Sequence, residues 1–428
     1  MKLLKVDTIQ QAREKIFSHI KSWHLKTEIL TLNEIQNRIL AEDVYSSCDI
    51  PSFRRSTVDG YAVISRDTTG AGDAIPVFLK QAGAVSIGKA ADFSIKSGEC
   101  AYVPTGGMLP DGADSVVMIE YTEQIAMKKE QNTDNREASN IVVAVYEGVS
   151  CGAGMVQIGE DFKSGDLLLR KGIVIRPQDI GALCAAGKTS VSVYAPLKIG
   201  IIYTGDELVA PGSNPALGEV RDVNTNTLKT LCEKHGYSAV YSIVLGDDET
   251  PLETAARDAA ALCDIVLISG GSSQGEKDYT AKIIDRISRP GVFTHGLAVK
   301  PGKPSILGWD EESRTLFAGL PGHPVSAIMV FEILFGHSFI KKIFQIPHSS
   351  FLFYHSLTAR VSCNVPGSPG KSLCLPVTLS PDDGNYSAQP VFGKAGMISV
   401  LTRADGYIII DMNKEGLNKD DIVQVFLF

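Results

Sequence analysis

The sequence predicts a multidomain protein of mixed class, with a doubly wound α/β domain, two small β domains and an N-terminal linking domain. Its 428 residues exceed what one ordinary hydrophobic core accommodates. From Gln178 to about residue 345 strand and helix patterns alternate, which indicates a parallel sheet with helices on both faces. Short strands broken by Gly and Pro fill Ile64–Val149 and return over Phe351–Phe428, which is typical of all-β segments.

These changes in the predicted secondary-structure pattern along the chain predict four domains. The first is a discontinuous linking domain, formed by residues 1–50 together with 150–177. A small β domain of residues 51–149 is inserted into it. The α/β domain covers residues 178–345, and a β-barrel-like domain covers residues 346–428.

Composition narrows the function classes. Hydrophobic residues make up 44% and charged residues 21%, which is a globular composition. The net charge of −8 argues against a nucleic-acid partner. No two of the eight cysteines have Cys-x-x-Cys spacing, so neither a zinc site nor a redox motif is predicted. Because we find no signal-peptide core and no apolar run of membrane-spanning length, we expect a cytoplasmic protein without membrane contact.

The N-terminal region predicts two helices. Ala12, Ile16 and Ile20 share one face of a helix over residues 8–21, with Thr8 as its cap. A second helix is predicted over Leu32–Ile39, because Thr31 to Glu34 match a capping box.

The α/β domain is predicted to alternate regularly. Its predicted strands are Lys198–Tyr203, Val240–Leu245, Asp264–Ser269, Val292–Val299 and Leu316–Ala318. Its predicted helices are Ile180–Ala186, Asn224–His235, Thr250–Leu262, Tyr279–Ile287 and Pro324–Phe335. In doubly wound sheets, ligands bind beyond the carboxyl ends of the strands. The loops expected at those ends all carry Gly, charge or hydroxyl groups, which favours a functional site over plain turns.

The loop after the strand that ends at Ser269 is the leading candidate for anion binding. Gly270, Gly271, Ser272, Ser273 and Gly275 offer backbone N–H groups and hydroxyls that can hold a phosphate. The run up to Lys277 nearly matches a P-loop, but Glu276 replaces the required lysine, so nucleotide hydrolysis is rejected. The simpler interpretation is a strand-to-helix turn.

Charged residues on neighbouring loops predict a cation site and a second anion site. Four carboxylates at one sheet edge would repel unless they bound a cation, and oxygen ligands suit Mg²⁺; they are Glu207, Asp247, Asp248 and Asp278. Each of them alone could instead be a helix cap or a solvated turn residue. Lys300 and Lys303 bracket Pro301-Gly302 in a stiff loop that can face an anion. Pro321-Gly322-His323 leads into a helix N-terminus, where anions are favoured.

Seven ordered motifs resemble the molybdopterin molybdenumtransferases of the MoeA type, including the C-terminal domain of gephyrin. They are Ser56-Thr-Val-Asp-Gly-Tyr-Ala, Pro104-Thr-Gly, Gly159-Glu-Asp, Thr204-Gly-Asp-Glu-Leu, Ser269-Gly-Gly-Ser-Ser-Gln-Gly-Glu-Lys-Asp-Tyr, Lys300-Pro-Gly-Lys-Pro and Leu320-Pro-Gly-His-Pro-Val-Ser-Ala. The resemblance covers essentially the whole chain and implies a molybdopterin-binding α/β domain.

The resemblance also implies an activity. Proteins of this family insert molybdenum from molybdate into adenylylated molybdopterin, release AMP and require Mg²⁺. They are homodimers whose active site lies between two subunits, and contacts with a molybdopterin adenylyltransferase and with apo-molybdoenzymes are implied. By motif, Asp59, Thr105 and Asp161 would form the partner-side wall. The opposite wall would contain the Thr204-Gly205 turn, the Gly270 loop, the four predicted metal ligands and both lysines.

Three departures from the family pattern leave alternatives open. Gly154 to Gly159 lacks the usual basic run, His323 replaces the common asparagine, and Lys371 follows Pro369-Gly370 in place of arginine. A divergent molybdopterin-binding paralogue or carrier, or an adenylyltransferase of the pterin, are therefore the alternative interpretations.

Overall fold

A computed structural model describes residues 6–126, 141–270, 279–347, 356–382 and 384–428. The described helices are α1 Ile9–His19, α2 Pro177–Ala185, α3 Asn224–Lys234, α4 Glu249–Leu262, α5 Tyr279–Ile287, α6 Pro324–Phe335, α7 His337–Ile343 and α8 Ser399–Thr402. The first described strands are β1 Thr27–Thr31, β2 Val44–Tyr45, β3 Arg55–Ser56, β4 Gly60–Val63, β5 Val77–Ala84, β6 Glu99–Val103, β7 Ser115–Met118, β8 Thr122–Ala126, β9 Ile141–Val145, β10 Met155–Val156 and β11 Leu167–Leu169.

The remaining described strands belong to the second half of the chain. They are β12 Ser190–Tyr194, β13 Lys198–Thr204, β14 Leu208–Val209, β15 Val220–Arg221, β16 Ser238–Leu245, β17 Ile265–Ser269, β18 Pro290–His295, β19 Val299–Lys300, β20 Ile306–Asp310, β21 Thr315–Leu320, β22 Ser356–Val361, β23 Val365–Pro366, β24 Ser372–Asp382, β25 Asn385–Pro390, β26 Gly406–Ile410, β27 Gly416–Leu417 and β28 Ile422–Leu427. The predicted class, an α/β domain with small β domains, is confirmed.

The N-terminal region contains the first predicted helix but not the second. Thr8 caps α1 through a capping box with Gln11, as its sequence pattern indicates. The prediction of a helix over Leu32–Ile39 is wrong, although the Thr31 hydroxyl does donate to the Glu34 carboxylate at 2.7 Å. Asn37 has a left-handed φ of 63°, which interrupts any helix at that residue. The flanking β1 pairs with β12, so tertiary pairing prevails over a local capping signal.

The small β domain is built on a six-stranded sheet with the order β7-β4-β6-β5-β9-β8. Gly60 begins β4, which pairs with β6 and β7 on either side. A Cβ at Gly60 would lie 1.9 Å from the Val117 carbonyl oxygen, so this position requires glycine. The predicted strand after Asp59 is confirmed, and it begins at Gly60 itself.

The α/β domain carries a second six-stranded sheet, with the order β16-β13-β17-β21-β20-β18. The first four strands in this order are parallel, as predicted. The far side of the sheet differs from the prediction, because β20 runs antiparallel to both β21 and β18. The predicted strand Val292–Val299 is in fact two strands, β18 and β19, and β20 was missed. The loop between β18 and β20 nevertheless lies at the carboxyl edge of the parallel strands.

Helices cover both faces of this sheet. Residues of α3 and α6, together with α1, pack on one face, where Ile199, Ile201, Ile265 and Leu267 are completely buried. On the other face α4 and α5 pack against Ile202, Val266, Ile268 and Phe317. Alternate residues of each strand thus point to opposite cores, which explains the nearly continuous apolar sequence of these strands.

The C-terminal domain closes its sheet into a ring. The order β24-β25-β22-β28-β26 returns to β24 through an additional β24–β26 pairing, which makes a small barrel. The strand β19 of the α/β domain adds to this sheet in parallel with β24, with Lys300 opposite Leu373. The C-terminal barrel is therefore joined directly to the lysine-containing loop.

One apolar segment meets the length and composition of a membrane span. Pro324–Ile343 has 20 residues and a mean hydropathy of 1.3, which corrects the expectation that no apolar run reaches this length. Within the protein, 78% of the 18-residue window that has this hydropathy is buried. It comprises α6 and α7, and α6 packs in the core beneath the central sheet. Its apolar character is explained by burial inside the protein.

Candidate active site

The structure brings five predicted loops to one edge of the α/β sheet. The parallel strands β13, β16, β17 and β21 end at Thr204, Leu245, Ser269 and Leu320, and their carboxyl ends share this edge. Lys300 and Lys303 lie in the segment that connects β18 to β20 at the same edge. Loops distant in sequence therefore meet at the position where doubly wound folds bind ligands.

Gly270 is fixed against the end of β13. Its φ is +102°, and a Cβ there would lie 2.0 Å from the Thr204 carbonyl oxygen. Only glycine fits this conformation and this approach. Predicted residues that follow in the loop lie outside the described residues: Gly271, Ser272, Ser273, Gly275 and Asp278. Their proposed contacts with phosphate stay predictions.

A network of buried polar groups underlies these loops. Asn224, at the first position of α3, donates from Nδ2 to the Ser269 hydroxyl at 3.1 Å and to the Gly322 carbonyl at 2.8 Å. The Ser269 hydroxyl donates to the Pro321 carbonyl at 3.3 Å. The Tyr203 hydroxyl lies 3.4 Å from the Gly322 carbonyl, to which it donates. Asn224 thus ties the ends of β17 and β21 to the start of α3.

The sequence patterns do not single out Asn224, which lies two residues after Asp222. The Asp222 carboxylate does accept from the Thr225 N–H at 3.0 Å, as a cap would. The signal that could have identified Asn224 is an amide side chain at the start of a helix that begins at the carboxyl edge of a sheet. Burial raises the pKa of Tyr203 to about 12, helped by the nearby carboxylates of Asp222 and Glu207. Tyr203 therefore remains a neutral hydrogen-bond donor at physiological pH.

The predicted metal ligands differ in their roles. Asp248 is the N-cap of α4, and its carboxylate accepts from the Thr250 N–H at 3.0 Å. Asp247 is held through its backbone, since its N–H donates to Asp206 Oδ1 at 2.8 Å. Glu207 is exposed and folds over Gly205, where an added Cβ would lie 2.8 Å from its Oε2. The ends of β13 and β16 therefore carry neighbouring carboxylates.

These carboxylates have the oxygen-only donor chemistry that Mg²⁺ prefers. Among the side chains that the structure describes, however, no group of three or more His, Cys, Asp or Glu could hold a metal ion. Asp278, the fourth predicted ligand, is outside the described ranges. The residues fit Mg²⁺ in kind, and substrate phosphate oxygens are the usual further ligands of this ion. The magnesium site stays a prediction.

The lysine loop is anchored on two sides. Gly302 packs on α6, since a Cβ there would lie 2.4 Å from Val330 Cγ2, and its carbonyl accepts from the Ser305 hydroxyl at 2.7 Å. Lys300 and Lys303 are both exposed. Lys300 and Pro301 line a cavity of about 580 Å³ between the α/β domain and the C-terminal barrel, which Lys394 also lines. The two ammonium groups therefore stand on a well-supported backbone.

The Pro321-Gly322-His323 turn leads into α6. His323 is the N-cap residue, but its side chain makes no capping hydrogen bond. Its ring packs against the C-terminal barrel, where a Cβ at Gly396 would lie 3.1 Å from His323 Cδ2. The Val325 N–H donates to the Ala395 carbonyl at 3.2 Å. The N-terminus of α6 is thus partly covered by the segment around Ala395.

The three residues assigned to the partner-side wall lie in the N-terminal half of the chain. Asp59 accepts from the Thr105 N–H at 2.8 Å, which brings these two predicted residues together. Asp161 is exposed, and its N–H donates to the Ile50 carbonyl at 3.1 Å. Among the described residues, these contacts are made within residues 50–162 rather than with the edge of the α/β sheet.

Family models match successive parts of the chain and together cover most of it. Residues 7–187 match the family model of the MoeA N-terminal region (domains I and II), residues 200–341 match a "Probable molybdopterin binding domain", and residues 358–428 match the MoeA C-terminal region (domain IV). Fold and site together define an enzyme of molybdenum cofactor biosynthesis.

Individual relatives agree with this class. The molybdopterin molybdenumtransferase of Haemophilus influenzae is 34% identical over 324 residues, covering 76% of this chain and 74% of its own. That of Bacillus subtilis is 27% identical over 94% of this chain and 90% of its own. A crystal structure of a molybdopterin biosynthesis MoeA protein from Pyrococcus horikosii matches with a TM-score of 0.80 and 31% identity, over 99% of both chains. The chain belongs to the MoeA family of molybdopterin molybdenumtransferases.

Proposed function

We propose that this protein inserts molybdenum from molybdate into adenylylated molybdopterin, with release of AMP and with Mg²⁺ as the required cation. The observation that carries this proposal is the meeting, at one sheet edge, of the turn at Gly270, neighbouring carboxylates and a lysine loop. These groups suit a substrate that contains several phosphates and a reaction that consumes an oxyanion.

The roles of the chain's own residues follow from charge and position. Lys300 and Lys303 would neutralise the oxyanion, while backbone N–H groups of the turn at Gly270 would donate hydrogen bonds to phosphate oxygens at the end of β17. Glu207, Asp247 and Asp278 would orient the cation. Mg²⁺, when bound, would supply charge neutralisation as the phosphoanhydride to AMP is cleaved.

We further propose that the protein acts as a homodimer in the cytoplasm. Asp59, Thr105 and Asp161 would then complete the active site of the partner subunit from the small β and linking domains. A molybdopterin adenylyltransferase would supply the substrate and apo-molybdoenzymes would receive the product. We keep the division into residues 1–50 with 150–177, 51–149, 178–345 and 346–428 as the proposed domain limits.

The decisive experiment measures AMP released by the purified protein from adenylylated molybdopterin, molybdate and Mg²⁺. We expect AMP release to depend on molybdate and Mg²⁺, and Asp278→Ala to abolish it. Asp258→Ala is the matched control, because this exposed carboxylate lies within α4 rather than at the sheet edge. Binding of the pterin without AMP release by wild type would favour a carrier instead, and an ATP-dependent adenylylated product would favour an adenylyltransferase.

A further inference from the structure

The polar network at the sheet edge contains one residue with no role so far. Asn224 is 1% exposed and sits where three chain segments meet. Its Nδ2 uses both donor positions, one toward the Ser269 hydroxyl and one toward the Gly322 carbonyl. Both acceptors belong to segments that flank predicted anion-binding loops. Asn224 therefore determines the spacing between the Gly270 turn and the Pro321–His323 turn.

The spacing between these turns is close. A Cβ placed on Gly322 would lie 3.7 Å from the Gly270 Cα. Gly270 in turn lies against the Thr204 carbonyl, so the ends of β13, β17 and β21 are packed backbone to backbone. A small shift of either turn would change the direction of the N–H groups offered to a ligand.

Several buried polar atoms at this edge make no hydrogen bond within the described part of the chain. They are Thr204 Oγ1, Asn224 Oδ1, Thr225 Oγ1 and Thr280 Oγ1. Thr204 and Thr280 are 3% and 0% exposed. Buried polar groups are normally paired, so unpaired ones concentrated at one place mark the carboxyl edge of the sheet as a functional site. These atoms occupy the end of β13 and the starts of α3 and α5, all at the carboxyl edge.

We propose that Asn224 is a positioning residue for the molybdopterin substrate: its Nδ2 holds the Gly270 and Pro321–His323 turns at the spacing that substrate binding requires. This inference rests on the proposed function. Asn224 does not touch reacting atoms, so its loss acts on substrate binding and orientation through the two turns.

Asn224→Leu, which keeps the size of the side chain and removes its polar atoms, tests this role. The matched control is Thr315→Val, because the buried Thr315 hydroxyl donates one proton that is shared between the carbonyls of Ala260 and Cys263, at the opposite edge of the same sheet. Both variants lose buried side-chain hydrogen bonding, so both are expected to unfold at lower temperature. Only Asn224→Leu should weaken substrate binding.

The readouts are the dissociation constant of molybdopterin, measured by calorimetric titration, and the KM and kcat of AMP release. We expect Asn224→Leu to bind molybdopterin about 10- to 100-fold more weakly and to raise KM, as the loss of two positioning hydrogen bonds would. Ser269→Ala, which removes one of the two acceptors, should give a smaller change in the same direction. It also serves as the test if Asn224→Leu does not fold.

Wild-type molybdopterin affinity and KM in folded Asn224→Leu, or in Ser269→Ala if the former does not fold, would overturn the positioning role. An equal loss of affinity in Thr315→Val would overturn it as well, because the effect would then be one of general stability. Because the titration requires no turnover, it remains informative if wild type releases no AMP. Failure of the proposed function and failure of this inference are therefore distinguishable.

Discussion

Gly270 is a single residue on whose backbone conformation the shape of the proposed site depends. We expect Gly270→Ala to destabilise the fold by about 2–4 kcal/mol, from left-handed strain and from contact with a backbone oxygen that cannot move aside. AMP release should fall with it, because the turn cannot keep its shape. Thermal unfolding and the AMP assay measure the two effects.

Gly181→Ala is the control for that substitution. Gly181 lies inside α2, and nothing is within 4 Å of its added Cβ. Alanine there should stabilise the protein by about 0.5–1 kcal/mol, because it is the better helix former. A Gly270→Ala protein as stable as wild type would contradict the described packing against Thr204.

The cysteines differ in reactivity according to burial. Burial raises the pKa of the Cys100 and Cys374 thiols to about 12 and that of Cys263 to about 11, and it also raises the pKa of Cys232. Since only the thiolate reacts, these groups should stay inert in the native protein up to about pH 9. Cys48, Cys151 and Cys184 are exposed and should react quickly.

A thiol-specific disulfide reagent measures this difference. We expect a fast phase from the exposed cysteines in native protein and reaction of all eight after denaturation. Fast labelling of Cys374, located by peptide mapping, would show that the contact between the C-terminal barrel and the α/β domain opens readily.

At the scale of elements, the start of α4 separates two roles for Asp248. If Asp248 acts as an N-cap, Asp248→Ala should lower stability by about 0.5–2 kcal/mol. Asp248→Ser should lower it much less, because serine also caps helices. If Asp248 were instead a metal ligand, both the alanine and the serine variant should lose activity. We expect Asp248→Ser to keep wild-type stability and the wild-type Mg²⁺ dependence of AMP release. A large rise in the Mg²⁺ requirement of Asp248→Ser would assign the carboxylate to the metal.

The segment Leu32–Ile39, which was predicted to be a helix and is not one, shows that a local capping signal does not by itself decide secondary structure. The capping-box contact of Thr31 with Glu34 is present, so the local pattern was identified correctly. The Asn37 and Leu40 N–H groups nevertheless donate to the carbonyls of Ile175 and Ile173, and the segment forms turns instead of a helix. A distant partner in sequence decided between two locally acceptable conformations.

At the scale of the whole molecule, the proposed shared active site predicts complementation between inactive subunits. Asp59→Ala and Glu207→Ala should each be inactive alone, because they damage opposite walls of the same site. Subunits mixed and reassembled should recover about a quarter of wild-type activity, since half of the dimers would be mixed and each would have one intact site.

The control mixture combines Glu207→Ala with Asp278→Ala. Both substitutions lie on the α/β wall, so each site of a mixed dimer would carry one of them and activity should stay absent. Recovery in this control, or none in the first mixture, would contradict an active site formed between subunits. Sedimentation confirms that reassembled protein is dimeric before the assay.

The sequence by itself determined the class, the helices and the four parallel strands of the α/β domain, and the loops at its carboxyl edge. It could do so because buried parallel strands have continuous apolar runs and because helix caps and glycine turns are local signals. The family motifs added the activity. Apolar runs, helix caps and glycine turns depend on residues close together in the chain, so they can be identified in a single sequence.

Only the tertiary structure decided how distant segments meet. It placed β20 antiparallel in the sheet and joined β19 to the C-terminal barrel. It also identified Asn224, whose importance lies in acceptors 45 and 98 residues away. Hydrogen bonds between remote backbone segments leave no periodicity in the sequence, so three-dimensional packing is required to reveal them.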